Sequence, residues 1–302
     1  MTDDRRTLSV ELVCELIADQ FPQWADLPIT PILPGGWNNR SFRLGETMVL
    51  RLPSAERYVA QVQKEQHFLP YLTSHLPLPI PQAIALGKAG ADYPWPFGVY
   101  GWIEGDTAAH GGIDDPVRFA QDLAHFLNAL HNVETADGPA AGLHNFYRGD
   151  FINVYNDETR AAIANLNGKI DGNAATAIWD KALESQWNSP AVWLHGDIAP
   201  GNLLVQNGKL SAVIDFGSMG IGDPACDLAI AWMFLEGKSR QAFRSNLPLD
   251  QETWQRGRGW ALWKTLITLD KLYRDGTEET GRQQEILQII LEHDLSEPHG
   301  RY

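Results

Sequence analysis

Apolar residues recur at the three- and four-residue spacing of a single helix face in several parts of the chain. This spacing predicts helices over residues 7–21, 57–74 and 116–132, and a helical insert over about 156–187. Thr7 is the expected N-cap of the first helix. Pro70 is expected to bend the second helix or to end it early, because proline lacks the amide that a helix interior needs.

Period-two alternation of apolar and polar residues marks strands near the start of the chain. The segment RSFRLGETMVLRLP predicts two strands joined near Gly45, with the glycine-rich loop GGWNNRS in front of them. WPFGVYGWIEGD predicts a further strand, after which the pattern becomes helical. We therefore expect an α+β fold with a small antiparallel-sheet lobe over residues 1–100 and a larger, mainly helical lobe over 101–302.

The segment NLLVQNGKLSAVIDFG carries two apolar runs on either side of Asn207-Gly208. Asn-Gly is a strong signal for a two-residue hairpin turn, because a type I′ turn needs positive φ at both positions. With this turn Asn202 would face Val213, and Asp215 would lie two residues further along that strand. Since side chains alternate across a strand, Asn202 and Asp215 are expected to point to the same face.

Asp197 lies in the loop HGDIAPGN, which leads into this hairpin. Two carboxylates and a carboxamide would therefore converge at one end of the hairpin. Oxygen ligands of this kind suit a hard cation such as Mg²⁺. Any one of these side chains, taken singly, would more often satisfy the backbone of a turn, but their joint spacing favours a metal site.

Glu65 falls on the apolar stripe that Val62, Leu69 and Leu72 form on the second predicted helix. A carboxylate on a buried face needs a partner, and Arg51 at the end of the strand MVLR is the candidate. The alternative is that Glu65 lies at the edge of the stripe and reaches solvent. The loop before that strand, with Gly36, Asn38, Asn39 and Ser41, has the flexible backbone and small polar groups that can close over phosphates.

The composition narrows the classes of partner. With 24 lysines and arginines against 38 aspartates and glutamates, the net charge is −14. An acidic surface repels nucleic acid and anionic membranes, so we expect neither as a partner. Cys14 and Cys226 are expected to be buried free thiols, as in a reducing cytoplasm, and no apolar run is long enough for a membrane span.

Two motifs, HGDIAPGNLLV and AVIDFGSMGIGDPACDLA, resemble those of the aminoglycoside phosphotransferase family, which also includes choline-kinase-like and other small-molecule kinases. With MVLRLP, KEQHFL and PFGVYGWIEGD in the expected order, the resemblance covers roughly residues 20–270. It implies a protein-kinase-like fold and Mg²⁺-dependent transfer of the γ-phosphate of ATP, or of GTP, to a hydroxyl group.

The resemblance also implies a role for each matching residue. Asp197 would accept or orient the substrate hydroxyl, and Asn202 and Asp215 would hold Mg²⁺. Arg51 stands where the family usually has a lysine and would bind phosphate, braced by Glu65.

Further positions match the frame of the family's site. His195 and Asp227 would steady the catalytic loop rather than take part in proton transfer. The strand residues Tyr100, Trp102 and Ile103 resemble the linker between the lobes, whose backbone would hydrogen-bond the nucleotide base.

The nature of the acceptor is least determined by the sequence. An acidic composition suits a cationic acceptor of the aminoglycoside kind, bound by acids and aromatic rings in the C-terminal helices. The candidates are Glu236, Trp232, Trp263 and Asp270. The alternative is that the acids are solvated helix faces and the tryptophans are core.

Other functions remain open at this point. The same fold could phosphorylate a metabolite that is not an antibiotic, such as an amino alcohol or a sugar. A metal-dependent hydrolase using His195, Asp197 and Asp215, or a nucleotide-binding pseudokinase, is a weaker alternative.

Overall fold

The structure, a computed structural model, describes residues 6–33, 35–135, 137–277 and 280–295. Its α-helices are α1 Val10–Gln20, α2 Val59–Thr73, α3 Pro116–His131, α4 Asn156–Asn165, α5 Gly172–Leu183, α6 Ile230–Met233, α7 Gly237–Asn246, α8 Gln251–Arg274 and α9 Gly281–Glu292. Its strands are β1 Ile29–Pro31, β2 Asn39–Leu44, β3 Met48–Pro53, β4 Ala83–Gly87, β5 Phe97–Gly101, β6 Asp106–Thr107, β7 Val192–Leu194, β8 Leu203–Gln206, β9 Lys209–Val213 and β10 Gly220–Gly222.

The first five strands form one antiparallel sheet in the order β1-β2-β3-β5-β4. The β2–β3 hairpin turns at Gly45, as predicted, and the φ of +58° there is easily reached only without a side chain. Apolar residues on one face of the sheet, such as Phe42 and Leu50, are buried together with Val13 and Leu16 of α1. The N-terminal helix therefore covers one face of the sheet.

The helix α1 begins later than the sequence suggested. Ser9, not Thr7, is the N-cap, because its backbone is extended and its hydroxyl accepts a hydrogen bond from the amide of Leu12 at 3.2 Å. Cys14 and Cys226 are both free thiols, but only Cys226 is buried. The expectation that both are buried is therefore wrong for Cys14, which lies on the outer face of α1.

The helix α2 crosses the other side of the sheet and continues past Pro70 to Thr73. Pro70 therefore does not end it early. Leu69 and Leu72 of this helix are buried in the larger core, with Tyr100 of β5. The small lobe is thus attached to the large one through the apolar face of α2.

The larger lobe is mainly helical. Asp115 caps α3 by accepting hydrogen bonds from the amides of Val117 and Arg118, and the insert predicted at 156–187 consists of α4 and α5. The long helix α8 runs through the core, with Trp254 and Leu262 buried. Together with the sheet, these helices give the two-lobed α+β fold that the sequence predicted. The division at residue 100, which falls within β5, stays a prediction.

The β8–β9 hairpin turns at Asn207-Gly208, with φ values of +52° and +73° as a type I′ turn requires. The predicted pairing holds next to the turn, but the register shifts by one residue between Leu204 and Val205. Leu203 rather than Asn202 therefore faces Val213. Within the described ranges, no helix is both long and apolar enough to cross a membrane.

Lys64 of α2 joins the two lobes. Its buried ammonium group donates to the carbonyl of Met219 at 2.8 Å and lies 2.8 Å from Nδ1 of His144. Burial lowers the pKa of Lys64 to about 7, partly offset by the charge of Glu65. In the unfolded chain the ordinary pKa of a lysine is about 10.4.

This difference predicts a pH-dependent contribution of Lys64 to stability. Above pH 7 the unfolded chain binds a proton at this lysine that the folded protein has lost, so stability rises with pH. Relative to Lys64→Met, the wild type should gain up to about 1.4 kcal/mol of unfolding free energy per pH unit between about pH 7 and 9. Urea unfolding measures this gain. The exposed Lys88 is the control, since the difference in unfolding free energy between wild type and Lys88→Met should be the same at every pH. A difference for Lys64→Met that is equally independent of pH would contradict the prediction.

Candidate active site

A cleft of about 410 Å³ lies between the five-stranded sheet and the β8–β9 hairpin. One wall is formed by Gly36 and Asn38 of the glycine-rich loop and by Asn39 and Ser41 at the start of β2. Neighbouring groups hold this loop: Arg40 donates to the carbonyl of Gly36 at 2.9 Å, and the amide of Ser54 donates to the carbonyl of Asn38 at 2.8 Å. The predicted phosphate-binding loop therefore borders the cleft.

Arg51 on β3 lies at the inner end of this cleft and bridges two acids. Its Nη1 donates to Oε1 of Glu65 at 2.7 Å, and its Nη2 contacts Oδ1 of Asp215. Glu65 is 2 % exposed, so the stripe on α2 does bury its carboxylate. Tyr100 donates to the other oxygen of Glu65 at 2.9 Å, which leaves this acid fully paired.

The two acids keep the guanidinium of Arg51 charged. Burial alone would lower the pKa of Arg51, but the charges of Asp215 and Glu65 raise it above its ordinary range. Burial raises the pKa of Glu65, and the positive charge of Arg51 opposes that shift. A fully charged guanidinium is thus held at the inner end of the cleft.

Asp215 lies two residues after the end of β9 and has a φ of +66°, in the left-handed region. Because of this turn and the register shift in the hairpin, Asn202 and Asp215 are brought together by other contacts than the predicted pairing of Asn202 with Val213. The carbonyl of Asn202 accepts from the amide of Ile214 at 2.9 Å, and both Asn202 and Asp215 line the cleft. The two residues predicted to share a face therefore meet by a different register from the one predicted.

The loop after β7 is held by the fully buried carboxylate of Asp227. Its two oxygens accept from the amides of His195 at 2.7 Å and Gly196 at 2.8 Å. Burial raises the pKa of Asp227, and the hydrogen bonds from these two amides oppose the shift. A buried carboxylate thus fixes the backbone immediately before Asp197.

His195 is also fully buried, and backbone groups use both of its ring nitrogens. Nδ1 accepts from the amide of Asp197 at 3.2 Å, and Nε2 lies 3.0 Å from the carbonyl of Ile214. This pattern corresponds to the neutral ring with its proton on Nε2. Neither nitrogen of His195 is left to bind a metal ion or to take a proton from a substrate.

Asp197 joins the cleft to a second pocket. Its Oδ2 and its carbonyl accept from Nδ2 of Asn202 at 3.3 and 2.9 Å, and its Oδ1 lies 2.9 Å from Nζ of Lys264. Burial would raise the pKa of Asp197, but the charge and hydrogen bond of Lys264, together with the charge of Arg148, oppose burial, and the pKa is lowered overall. Asp197 is therefore an anion that a hydroxyl group can reach from the partly exposed side.

The donor set around Asn202 and Asp215 fits a magnesium ion. The Nδ2 of Asn202 is used by Asp197, so its Oδ1 is the atom left for a cation. Arg51 uses Oδ1 of Asp215, which leaves Oδ2. Carboxylate and amide oxygens are the donors that Mg²⁺ prefers, with phosphate oxygens completing its shell. Among the described residues, no group of three or more His, Cys, Asp or Glu forms a metal site.

The strand segment predicted to bind the base needs one correction. Tyr100, Trp102 and Ile103 all line the cleft, but the amide of Trp102 donates to the carbonyl of Thr47 at 2.8 Å. That amide is therefore unavailable to a nucleotide. Ile103 has no main-chain hydrogen bond to another described residue and is the better candidate.

The residues predicted to bind the acceptor do not assemble into one site. Asp270 is paired with Arg274 at 3.2 Å, and Trp232 is buried and donates to the carbonyl of His293 at 2.7 Å. Glu236 lies in a separate groove between α3 and α7. Only Trp263 borders the pocket next to Asp197. Glu236 is exposed and Trp232 is core, as the alternative expected, whereas Asp270 is buried and ion-paired rather than solvated.

Two residues of this pocket, Arg148 and Lys264, were not predicted from the sequence. Lys264 had a readable signal, because it stands alone in the apolar run GWALWKTLITL of α8, where a cation needs a partner. Arg148 lies in an irregular loop whose neighbours no periodicity reveals.

Residues 29–260 match the phosphotransferase enzyme family, which is more than half of the chain. The chain belongs to this family. An aminoglycoside 3'-phosphotransferase of Escherichia coli is 29% identical over 120 residues, which are 39% of this chain and 44% of that protein. The match thus spans less than half the length of this relative.

Solved structures of the family share the fold. The GDP complex of wild-type aminoglycoside 2'-phosphotransferase-IIIa superposes with a TM-score of 0.67 at 18% identity, over 92% of this chain and 97% of that one. A macrolide 2'-phosphotransferase type I superposes with a TM-score of 0.60 at 18% identity, over 93% and 98%. At this identity the likeness concerns the fold.

Gly196 tests how tightly the loop before Asp197 is held. Its φ is +82°, and a Cβ there would lie 2.3 Å from the carbonyl oxygen of Ser218. Gly196→Ala should therefore lower the unfolding free energy by roughly 1–3 kcal/mol or more, measured by urea unfolding. Gly201 in the same loop is the control, since no atom lies within 4 Å of its Cβ position. Equal stability of the two alanine variants would contradict this reading of the loop.

Proposed function

We propose that this chain transfers the γ-phosphate of ATP, or of GTP, to a hydroxyl group of a small molecule. The observation that carries the proposal is the convergence, at one end of a nucleotide-sized cleft, of Arg51 paired with Glu65 and Asp215 and of Asn202 bonded to Asp197. Phosphoryl transfer demands mainly positioning and charge neutralisation, and these groups are of the kind that supply both.

The nucleotide would lie in the cleft. Its base would stack near Tyr100 and Ile103, with the amide of Ile103 as the hydrogen-bond donor. The loop with Gly36, Asn38 and Asn39 would cover the phosphates. Arg51 would bind the phosphates that are not transferred, because a guanidinium fork matches phosphate oxygens and stays charged.

Asn202 and Asp215 would hold Mg²⁺, which supplies positive charge against the phosphate oxygens. Asp197 would receive the acceptor hydroxyl. With its pKa lowered it is a weak base, so its main work is to orient the hydroxyl and to take the proton late in the transfer. Asp227 and His195 would keep Asp197 in place through the loop backbone.

The acceptor is a small molecule that enters beside Asp197. Aminoglycosides and macrolides are named for the relatives and neighbours, and either class would bring a hydroxyl group to such a site. A metabolite such as an amino alcohol or a sugar is the second candidate. The composition predicted a cationic acceptor bound by acids of the C-terminal helices. Two of those acids, Glu236 and Asp270, do not line the pocket beside Asp197, so they do not support a cationic acceptor there.

Specific contacts argue against the hydrolase and pseudokinase alternatives. A hydrolase would need His195 as a ligand or base, but the backbone uses both of its ring nitrogens. A pseudokinase would lack a catalytic group, whereas Asp197, Asn202 and Asp215 all border the site. The cytoplasmic location remains part of the proposal and agrees with two cysteines that are not joined.

Asp197→Asn tests the proposed role of the carboxylate. Removing the charge that orients the hydroxyl should lower the rate of phosphate transfer by at least about 100-fold. Binding of Mg²⁺ and nucleotide should change little, because Asp197 is not among the residues that line the cleft. Transfer is followed with labelled ATP and GTP against aminoglycosides, macrolides, amino alcohols and sugars, and nucleotide binding by calorimetry.

Asp150→Asn is the matched control, since Asp150 is an exposed acid outside both pockets. It should leave both transfer and nucleotide binding unchanged. Undiminished transfer by Asp197→Asn would overturn the role of Asp197. A wild-type protein that binds neither nucleotide in the presence of Mg²⁺ would overturn the phosphotransferase proposal itself.

A further inference from the structure

The pocket beside Asp197 is lined by two cations and one acid. Arg148 and Lys264 are the cations, and among the described residues that line the pocket Asp197 is the sole carboxylate. Lys264 lies 2.9 Å from Oδ1 of Asp197, so these two charges neutralise each other. Arg148 is then left as an excess positive charge next to the point where the acceptor hydroxyl must bind.

Arg148 is held rigidly in this position. Its Nε donates to the carbonyl of Gly196 at 3.1 Å, and its Nη1 donates to the hydroxyl of Tyr155 at 3.0 Å. Its guanidinium lies 5.0 Å and 4.8 Å from the ring centroids of Trp260 and Trp263. Nη2 has no hydrogen-bond acceptor among the described residues, so this group can serve a ligand.

Three other acids, Asp227, Asp223 and Glu158, have hydrogen-bond partners of their own and do not line the pocket. Asp227 accepts the amides of the loop backbone, and Asp223 accepts from Nε of Arg256 at 2.6 Å. Glu158 accepts from the indole of Trp263 at 2.7 Å and lies in an exposed turn of α4. None of these carboxylates lines the pocket, so none competes for Arg148 there.

The pocket beside Asp197 is small, and Lys264 occupies the position next to Oδ1 of Asp197. The free space is only about 20 Å³, which admits little more than one water molecule. The side chain of Lys264 is 36% exposed and ends in a single flexible amine. A hydroxyl group that approaches Oδ1 of Asp197 must therefore share or displace Lys264, and an anion on the acceptor would give the displaced ammonium a new partner.

We infer that the acceptor is an anionic hydroxylated small molecule, whose carboxylate or other acidic group is bound by Arg148 and Lys264 while a nearby hydroxyl meets Asp197. A cationic aminoglycoside would instead meet the excess positive charge of Arg148 at the reaction centre, which is unfavourable. The walls of Trp260 and Trp263 fit a sugar-like carbon skeleton. The inference rests on the proposed transfer at Asp197 and gives its substrate class.

A matched set of probes isolates the charge. Glucuronate, glucose and glucosamine share one ring and differ in charge, and gluconate, sorbitol and glucamine form an open-chain set. Binding to the full chain loaded with Mg²⁺ and a non-hydrolysable ATP analogue is measured by tryptophan fluorescence at constant ionic strength. In each set the anion should bind at least about tenfold more tightly than the cation, as expected for a charged hydrogen bond.

Lys264→Met should reduce that preference severalfold, because it removes one of the two cations. Lys271→Met, at an exposed position of the same helix, is the control and should leave the preference unchanged. A folding defect would weaken all members of a set alike, so the ratio of anion to cation reports the charge of the pocket.

The inference is overturned if the cation of a set binds as tightly as the anion, or more tightly. It is also overturned if Lys264→Met leaves the ratio of anion to cation binding unchanged, or if neither anion binds. The nucleotide analogue separates this result from the proposed function. If the analogue binds and the anions do not, only the substrate class is wrong. If the analogue itself does not bind, the phosphotransferase proposal fails first.

Discussion

The buried guanidinium of Arg51 connects the parts of this protein that must lie together. It belongs to the sheet, Glu65 belongs to α2, and Asp215 follows the hairpin of the larger lobe. A buried cation without its acids is costly, and removing one partner from such a cluster typically destabilises a protein by about 3–5 kcal/mol. The relative position of sheet, helix and hairpin is therefore coupled to the group proposed to bind phosphate.

A second buried charge organises the other half of the site. Asp227 accepts the amides of His195 and Gly196, and Arg148 binds the carbonyl of Gly196 from the opposite side. The short loop between β7 and β8 is thus held at successive peptide groups, and Asp197 follows directly. Because Asn202 bonds to Asp197, the cleft and the pocket beside Asp197 share one wall.

The net charge of the chain and the charges that line the pocket beside Asp197 have opposite signs. The chain carries −14 overall, yet the pocket beside Asp197 is lined by Arg148 and Lys264. The net charge counts every acid, including solvated ones on helix surfaces such as Asp275, which does not line the pocket. The charge that a substrate meets depends on the few side chains that line its site, and screening over about 8 Å at physiological salt limits the influence of the rest.

The order of elements, the Asn207-Gly208 turn and the convergence of Asp197, Asn202 and Asp215 could be predicted from the chain, because they follow from local periodicity, turn chemistry and recognisable motifs. The periodicity of α2 favoured burial of Glu65 but left an exposed position open. The features that depend on contacts between distant segments came from the folded arrangement. It shifted the hairpin register by one residue, used the amide of Trp102 in a bond to Thr47, and placed Glu236 and Asp270 away from the site. The fold also brought Lys264 to Asp197, since a helix pattern shows that a cation lies on an apolar face but not which carboxylate it meets.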